Sequence, residues 1–158
     1  MNTINEMTLN FKAKSENEAF ARSCVAAFCL QLNPTLDEIT DIKTAVSEAV
    51  TNCVVHAYPK EKGDVSINVK LTQDTAIISV SDNGVGISNF AKARQPFFTT
   101  KPDDERSGMG FTVMESFMDK VYLLKNNDKG VTVLMEKKFG EAEKEVVGGW
   151  DAWPRNNN

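Results

Sequence analysis

One histidine and three cysteines are the whole supply of nitrogen and thiolate ligands for zinc in the side chains of this 158-residue chain. The cysteines, Cys24, Cys29 and Cys53, are odd in number and show no C-x-x-C spacing. They fall inside apolar helical patterns, where cysteine acts as a small hydrophobe. Neither a disulfide framework nor a zinc site is expected, and the compartment is expected to be reducing. No apolar run approaches the roughly 18 residues of a membrane helix, and the N-terminal MNTINEMTLNFKAKSENE has no signal-peptide core. A soluble, cytoplasmic protein without a membrane partner is the expectation. No long basic run interrupts the mixed acids and bases behind the net charge of −4, which argues against direct nucleic-acid binding. The chain also lacks G-x-x-x-x-G-K-[ST] and any G-x-G-x-x-G after a strand pattern, so it carries no ordinary P-loop or dinucleotide fingerprint.

With 41% hydrophobic and 25% charged residues, the chain is long enough for one real core and too short for two comfortable ones. One domain is expected over residues 1–139. The remainder, 140–158, is a polar, flexible tail whose only large apolar groups are Trp150 and Trp153. Met7, Leu9 and Phe11 alternate as a half-buried strand. Ser15 with Glu18 forms a capping-box pattern, opening a first helix in which Phe20, Cys24, Ala27, Phe28 and Leu32 recur at helical spacing, ending near Asn33-Pro34. Thr35 with Glu38 repeats the box ahead of a second helix faced by Ile39, Ile42, Val46, Ala49, Val50 and Cys53.

Val65, Ile67, Val69 and Leu71 alternate as a strand, and a second runs over 75–81. The short Gln73-Asp74 connection makes them an antiparallel hairpin. Across 83–110 the pattern dissolves into Gly84, Gly86, Pro96, Pro102 and Gly108, and a loop this long in a small domain is usually functional, often a lid. A helical pattern resumes over 111–118, and two strands, 121–124 and 131–135, complete the chain before its tail.

Three stretches carry chemistry. In SEAVTNCVVHAY, Glu48 and Asn52 lie on one narrow stripe of a helix with about 100° per residue, away from the Ile42, Val46, Ala49 and Cys53 face. Such a pair reads as a solvated polar face, or as a carboxylate and an amide one turn apart that serve a hydrated magnesium ion and its nucleotide, the acid being a general base. In AIISVSDNGVG, Asp82 shares the inward face of Ala76, Ile78 and Val80. Burying an unpaired carboxylate is expensive. The glycines that follow, Gly84 and Gly86, allow close approach of a ligand or positive φ angles, and an acidic acceptor there suits an exocyclic amine such as that of adenine. Asp-Asn-Gly is also a common turn sequence.

In FFTTKPDDERSGMGF, Lys101, Arg106, Ser107 and the Gly108-Met109-Gly110 turn precede a helix start. Backbone amides, the helix dipole and two cations converge there on a place for a phosphate chain, with Thr99 and Thr100 as added donors.

E-x-x-x-N on a helix, D-x-G-x-G after a strand, and a long loop closing on G-x-G before a helix resemble, in that order, the ATP-binding fold shared by gyrase, Hsp90, histidine kinases and MutL. No separate helical domain with a phosphoacceptor histidine is present, which disfavours a histidine kinase. SEAVTN, HAY, ARQPFFTTKP and ERSGMGF resemble the serine-kinase anti-sigma factors of spore-forming bacteria, a likeness running over residues 7–138.

That resemblance implies an α+β, two-layer α/β sandwich of the Bergerat type, with helices on one face of a mixed, mainly antiparallel sheet. It also implies a homodimer, sequestration of a sigma factor, and phosphorylation of an anti-anti-sigma protein on serine, with ATP/ADP and Mg2+ as cofactors. Glu48 matches the family's catalytic acid, Asn52 the magnesium ligand and Asp82 the adenine reader, with Gly84 and Gly86 shaping the pocket. Lys101, Arg106, Ser107, Gly108 and Gly110 match the lid around the phosphates, Arg106 neutralising charge on the transferred group. His56 resembles the family's N-x-x-x-H, a helix-end position.

One departure is evident. Many members carry Gly-Thr after the last turn, where this chain has Gly130-Val131-Thr132. Thr132 should point to the sheet face opposite Val131 and so cannot replace that hydroxyl; the preference for ATP over GTP is then expected to be looser. Arg22, an arginine among small and apolar residues of the first helix, is expected at a partner interface. A nucleotide-gated module that binds its sigma factor without kinase turnover, and an ATPase of the gyrase type, are the competing readings. The latter lacks a transducer domain to drive.

Overall fold

The two capping boxes written in the sequence fold differently. At Thr35 the box closes: the Thr35 Oγ1 accepts from the Glu38 amide at 3.1 Å, and the Glu38 carboxylate accepts from the Thr35 amide at 3.1 Å. Two orphan donors at the start of the helix Leu36–Asn52 (α2) are thereby satisfied. Ser15, by contrast, sits in helical backbone geometry (φ −58°, ψ −32°) and makes no side-chain cap. Its partner Glu18 instead takes Arg22 in an i,i+4 ion pair of 2.8 Å.

The computed structural model describes residues 2–58, 63–85, 110–126 and 129–140. Strand β1 (Asn5–Lys12) is followed by α1 (Glu16–Cys29), a 3-10 turn (Leu30–Leu32) and α2. A π-helical turn (Cys53–Ala57) then leads to β2 (Asp64–Leu71) and β3 (Thr75–Asp82). Helix α3 (Gly110–Phe117) and the strands β4 (Lys120–Lys125) and β5 (Val131–Lys138) complete the order. The strands form one five-stranded sheet ordered β1-β2-β3-β5-β4. Every pairing among these strands is antiparallel, the antiparallel extreme of the mixed, mainly antiparallel sheet expected.

Period 2 puts one face of this sheet inside. Ile67 pairs with Val80 and Val80 with Val133, while Val69 pairs with Ile78 and Ile78 with Met135. All of these side chains are buried beneath the helices. On α2 Ile42, Val46, Ala49 and Val50 are buried as expected, joined by Ala45 and Thr51, while Ile39 is half-buried.

On α1 the expected face is displaced. Ala21, Val25, Ala26 and Cys29 are buried, whereas Phe20 is 54% exposed. Small residues let α1 lie close to α2, and large apolar size alone misassigned the face. Lys137 ties three elements together, its Nζ lying 3.0 Å from the Asp41 carboxylate of α2 and 2.7 Å from the Phe117 carbonyl of α3. Phe139 is 2% exposed, so the core extends to the last strand's exit.

Two expectations of organisation meet the structure differently. Residues 86–109, with Pro96 and Pro102, and the tail residues 141–158, with Trp150 and Trp153, lie outside the described residues. All three cysteines are free thiols. The asymmetry of the boxes sets a first test. Thr35→Ala should cost about 1 kcal/mol and Ser15→Ala a few tenths at most, read as shifts in the urea midpoint. Equal losses at the two positions would contradict the capping described here.

Candidate functional site: the helix end at Asn52 and the strand end at Asp82

The last turn of α2, the end of β3, the start of β5 and the first residue of α3 meet at one place. The helix α2 delivers Glu48 and Asn52 from a single stripe, both half-buried. Helix α3 begins directly over them. A Cβ built on Gly110 would lie 3.3 Å from both side-chain atoms Nδ2 and Oδ1 of Asn52, and 3.4 Å from the Glu48 Oε2. Gly110, expected among phosphate-binding residues, therefore brings the helix start close to the amide and the acid.

Asn52 Nδ2 is the one buried side-chain nitrogen or oxygen left without a hydrogen-bond partner among the described residues. Leaving such a donor unmet costs about 1–3 kcal/mol. An orphan in a fold that otherwise satisfies its buried polar atoms marks a place where a ligand belongs. A solvated polar face, the other reading of the Glu48 and Asn52 spacing, does not produce a buried donor of this kind.

Asp82 lies against Cys53, the residue that follows Asn52, and is 8% exposed, as its inward register required. Its carboxylate is held by three donors from three elements. The Gly84 amide reaches Oδ1 at 2.9 Å and the Val131 amide reaches the same oxygen at 3.3 Å. The Cys53 thiol reaches Oδ2 at 3.6 Å. Burial first, then the neighbouring Asp82 charge, push the Cys53 thiol well above its ordinary range, so it donates as a neutral S–H. The carbonyl of Asp82 accepts from Asn126 Nδ2 at 2.9 Å.

Local backbone explains how these parts come so close. After Asn52 the α-helix widens into the π turn, a form that occurs mostly as single turns and is frequent at functional sites. Its last carbonyl, Ala57, accepts from the Val85 amide at 2.9 Å. A Cβ on Gly84 would fall 2.1 Å from that carbonyl oxygen. Gly84 is thus required for an approach of protein to protein, and it does not adopt the positive φ considered from sequence. Gly130 does, at φ 96°, and a Cβ there would strike the Asp82 carbonyl at 2.1 Å. Tyr58 braces the same corner, its hydroxyl accepting from the Asn83 amide and donating to the Asp64 carbonyl, both at 2.8 Å. Burial pushes this phenol above its ordinary value.

Thr132 lies on the opposite sheet face from Val131, as its register predicts. Its hydroxyl is 2.7 Å from Ser81 Oγ and donates to Asn126 Oδ1 at 2.7 Å. It supplies nothing to the Asp82 carboxylate. His56 falls in the π turn, a helix-end position as expected, and is half-buried.

The structure therefore brings Glu48, Asn52, Asp82, Gly84 and Gly110 together. Gly86, Thr99, Thr100, Lys101, Arg106, Ser107 and Gly108 lie outside the described residues. Arg22 stands apart on α1, where its Nη1 meets Glu18 at 2.8 Å and Ser47 Oγ at 3.4 Å. It is not the isolated cation that its small neighbours suggested. Cys53, Tyr58 and Asn126 were not foreseen as site residues. Cys53 read as core, and only its place beside Asn52 in the helix end hinted at more.

Among the described residues no helix is long and apolar enough to cross a membrane. Solved structures share the architecture. The RsbU and RsbW domains of a Mycobacterium tuberculosis protein superpose with a TM-score of 0.61 at 16% identity, covering 85% of this chain and 32% of that one. The catalytic domain of the histidine kinase ThkA superposes with a TM-score of 0.55 at 17% identity, covering 84% and 96%. At these identities the likeness is one of fold. Sequence relatives are much nearer. An anti-sigma F factor from Clostridium perfringens is 54% identical over 136 residues, 85% of this chain and 97% of the relative. Another from Geobacillus thermodenitrificans is 54% identical over 140 residues, 88% and 96%. The histidine kinase-like ATPase domain family matches residues 11–137. The chain belongs to the anti-sigma F factors, within the histidine kinase-like ATPase domain family.

Proposed function

We propose that this protein is an ATP-dependent protein-serine kinase that also holds a sigma factor inactive, its substrate being an anti-anti-sigma protein. One observation carries the reading: the buried, unpaired Asn52 nitrogen one turn from Glu48, in the helix end whose Cys53 meets the inward carboxylate of Asp82. The names of the relatives, anti-sigma F factors, support the sigma partner. Residues 1–139 form the working domain, a boundary that the burial of Phe139 supports, and 140–158 form a tail.

Each residue then has a task. Asp82 accepts the exocyclic amine of adenine. The orphaned Asn52 Nδ2 is a donor and would meet a phosphate oxygen, while Oδ1 of the same side chain would hold Mg2+, a cation that keeps several waters and takes most other ligands from phosphate oxygens. When bound, the metal neutralises charge on the phosphates. The fit is good for an amide and poor for a dedicated protein cage, which suits a metal that arrives with its nucleotide.

Glu48 takes the proton of the incoming serine hydroxyl as its oxygen bonds to the γ-phosphorus and the bond to the ADP oxygen breaks. Arg106 neutralises charge on the transferred group. Lys101, Thr99, Thr100, Ser107, Gly108 and Gly86 complete the nucleotide site.

Two further assignments follow the family likeness. The working form is a homodimer in the cytoplasm, where a sigma factor would be met. Arg22 contributes to partner recognition, and an acidic partner group would compete with Glu18 for it.

Glu48→Gln should lower phosphate transfer to the anti-anti-sigma serine by about a hundredfold or more, measured by mass spectrometry of the product. Binding of ADP and sigma factor should persist. Wild-type protein that yields no phosphoserine with ATP, Mg2+ and this partner would sink the kinase reading and favour the nucleotide-gated binding module. Arg22→Ala should weaken at least one of the two protein partners about tenfold. Unchanged affinity for both removes Arg22 from the interface.

A further inference from the structure

A carboxylate has about four lone-pair positions. Among the described residues, the Gly84 and Val131 amides fill two of them on Asp82 Oδ1. The Cys53 thiol fills a third on Oδ2. One position remains, on Oδ2, in a side chain only 8% exposed.

We propose that Cys53 is a positioning residue that sets purine specificity, because its thiol fixes the Asp82 carboxylate so that the remaining Oδ2 lone pair accepts a 6-amino group. The proposal rests on the reading of Asp82 as the base-recognising residue. It adds a residue that acts through Asp82 without touching the nucleotide.

The chemistry of the thiol matters here. Two amides on Oδ1 hold one oxygen in place and leave rotation of the carboxylate about that oxygen opposed only by what meets Oδ2. The thiol is the one described side chain that does so, and it comes from the π turn, an element different from those that supply the amides. A cationic donor at this place would pair with the carboxylate and lower its attraction for an incoming amine. A neutral thiol orients the group and leaves its charge in force.

A 6-amino purine offers N–H to the open lone pair. A 6-keto purine puts an acceptor where the amine would be, which an acceptor-only carboxylate repels, and carries its donor at N1 instead, away from the position that Oδ2 is held to meet. Selectivity therefore depends on Oδ2 staying where the amine meets it.

The test compares ADP with inosine diphosphate, which differs by the amine-to-keto exchange, in calorimetric titrations of the full chain with Mg2+. Wild type should bind ADP more tightly. Cys53→Ala should lower the ADP-to-IDP preference about three- to tenfold, the worth of one modest hydrogen bond, with most of the loss on the ADP side.

Cys53→Ser restores a donor on a shorter bond, within a side-chain adjustment of Asp82, and should keep at least half of the preference. Thermal unfolding of each variant reports its packing separately, since a change in stability alone moves both nucleotides together. An unchanged preference in Cys53→Ala overturns the proposal, as does an equal loss in both variants. If wild type itself shows no preference for ADP, the assignment of Asp82 to the base falls, and the role of Cys53 falls with it. A wild-type preference that survives Cys53→Ala removes only Cys53.

Discussion

The structure turns on burying one carboxylate. Asp82 ends the central strand β3 on its inward face, where an unmet charge would cost several kcal/mol. The fold meets that cost by bringing three elements to the same atoms. The turn after β3 supplies the Gly84 amide, β5 supplies the Val131 amide, and the π turn supplies the Cys53 thiol. Each approach needs its own local exception: glycine at 84 under the Ala57 carbonyl, glycine at 130 with positive φ over the Asp82 carbonyl, and a helix that widens after Asn52. The same convergence that satisfies Asp82 also fixes its distance from α2.

Helix α2 is the other partner in that arrangement. Its capped N-terminus and buried face set its height above the sheet, and its last turns, with the π turn that follows, carry Glu48, Asn52 and Cys53 toward the end of β3. Of these, Cys53 is spent on Asp82, whereas the Asn52 amide is left unmet. Arg22 reaches from α1 to Ser47, the neighbour of Glu48, so α1 is tied to the helix that carries the acid. The two outer positions of the site are thus supported by elements that the sheet positions and the core locks.

Much of this was legible in the residues. Period-2 alternation located β1, β2 and β3, the segments 121–124 and 131–135 were read as strands as well, and the inward register of Asp82 followed from Ala76, Ile78 and Val80 alone. The stripe of Glu48 and Asn52 followed from helical geometry. What escaped was of a different kind. The α1 face was misread because Phe20 is larger than Ala21, and close helix packing rewards the smaller residue. The Ser15 box failed because its backbone stayed helical and Arg22 claimed Glu18. The thiol, the π turn and the Asn126 contact depend on where the end of one element meets another, which no local pattern encodes. Gly84 was recognised as necessary, but the atom it must avoid is the protein's own carbonyl.

The most direct measurement is a crystal structure of the chain with Mg2+ and a non-hydrolysable ATP analogue. Asn52 Oδ1 in contact with the metal, and the adenine amine on Asp82 Oδ2, are the expected result. A nucleotide bound with neither contact, or an Asn52 amide turned wholly toward protein partners, would contradict the assignment of this site.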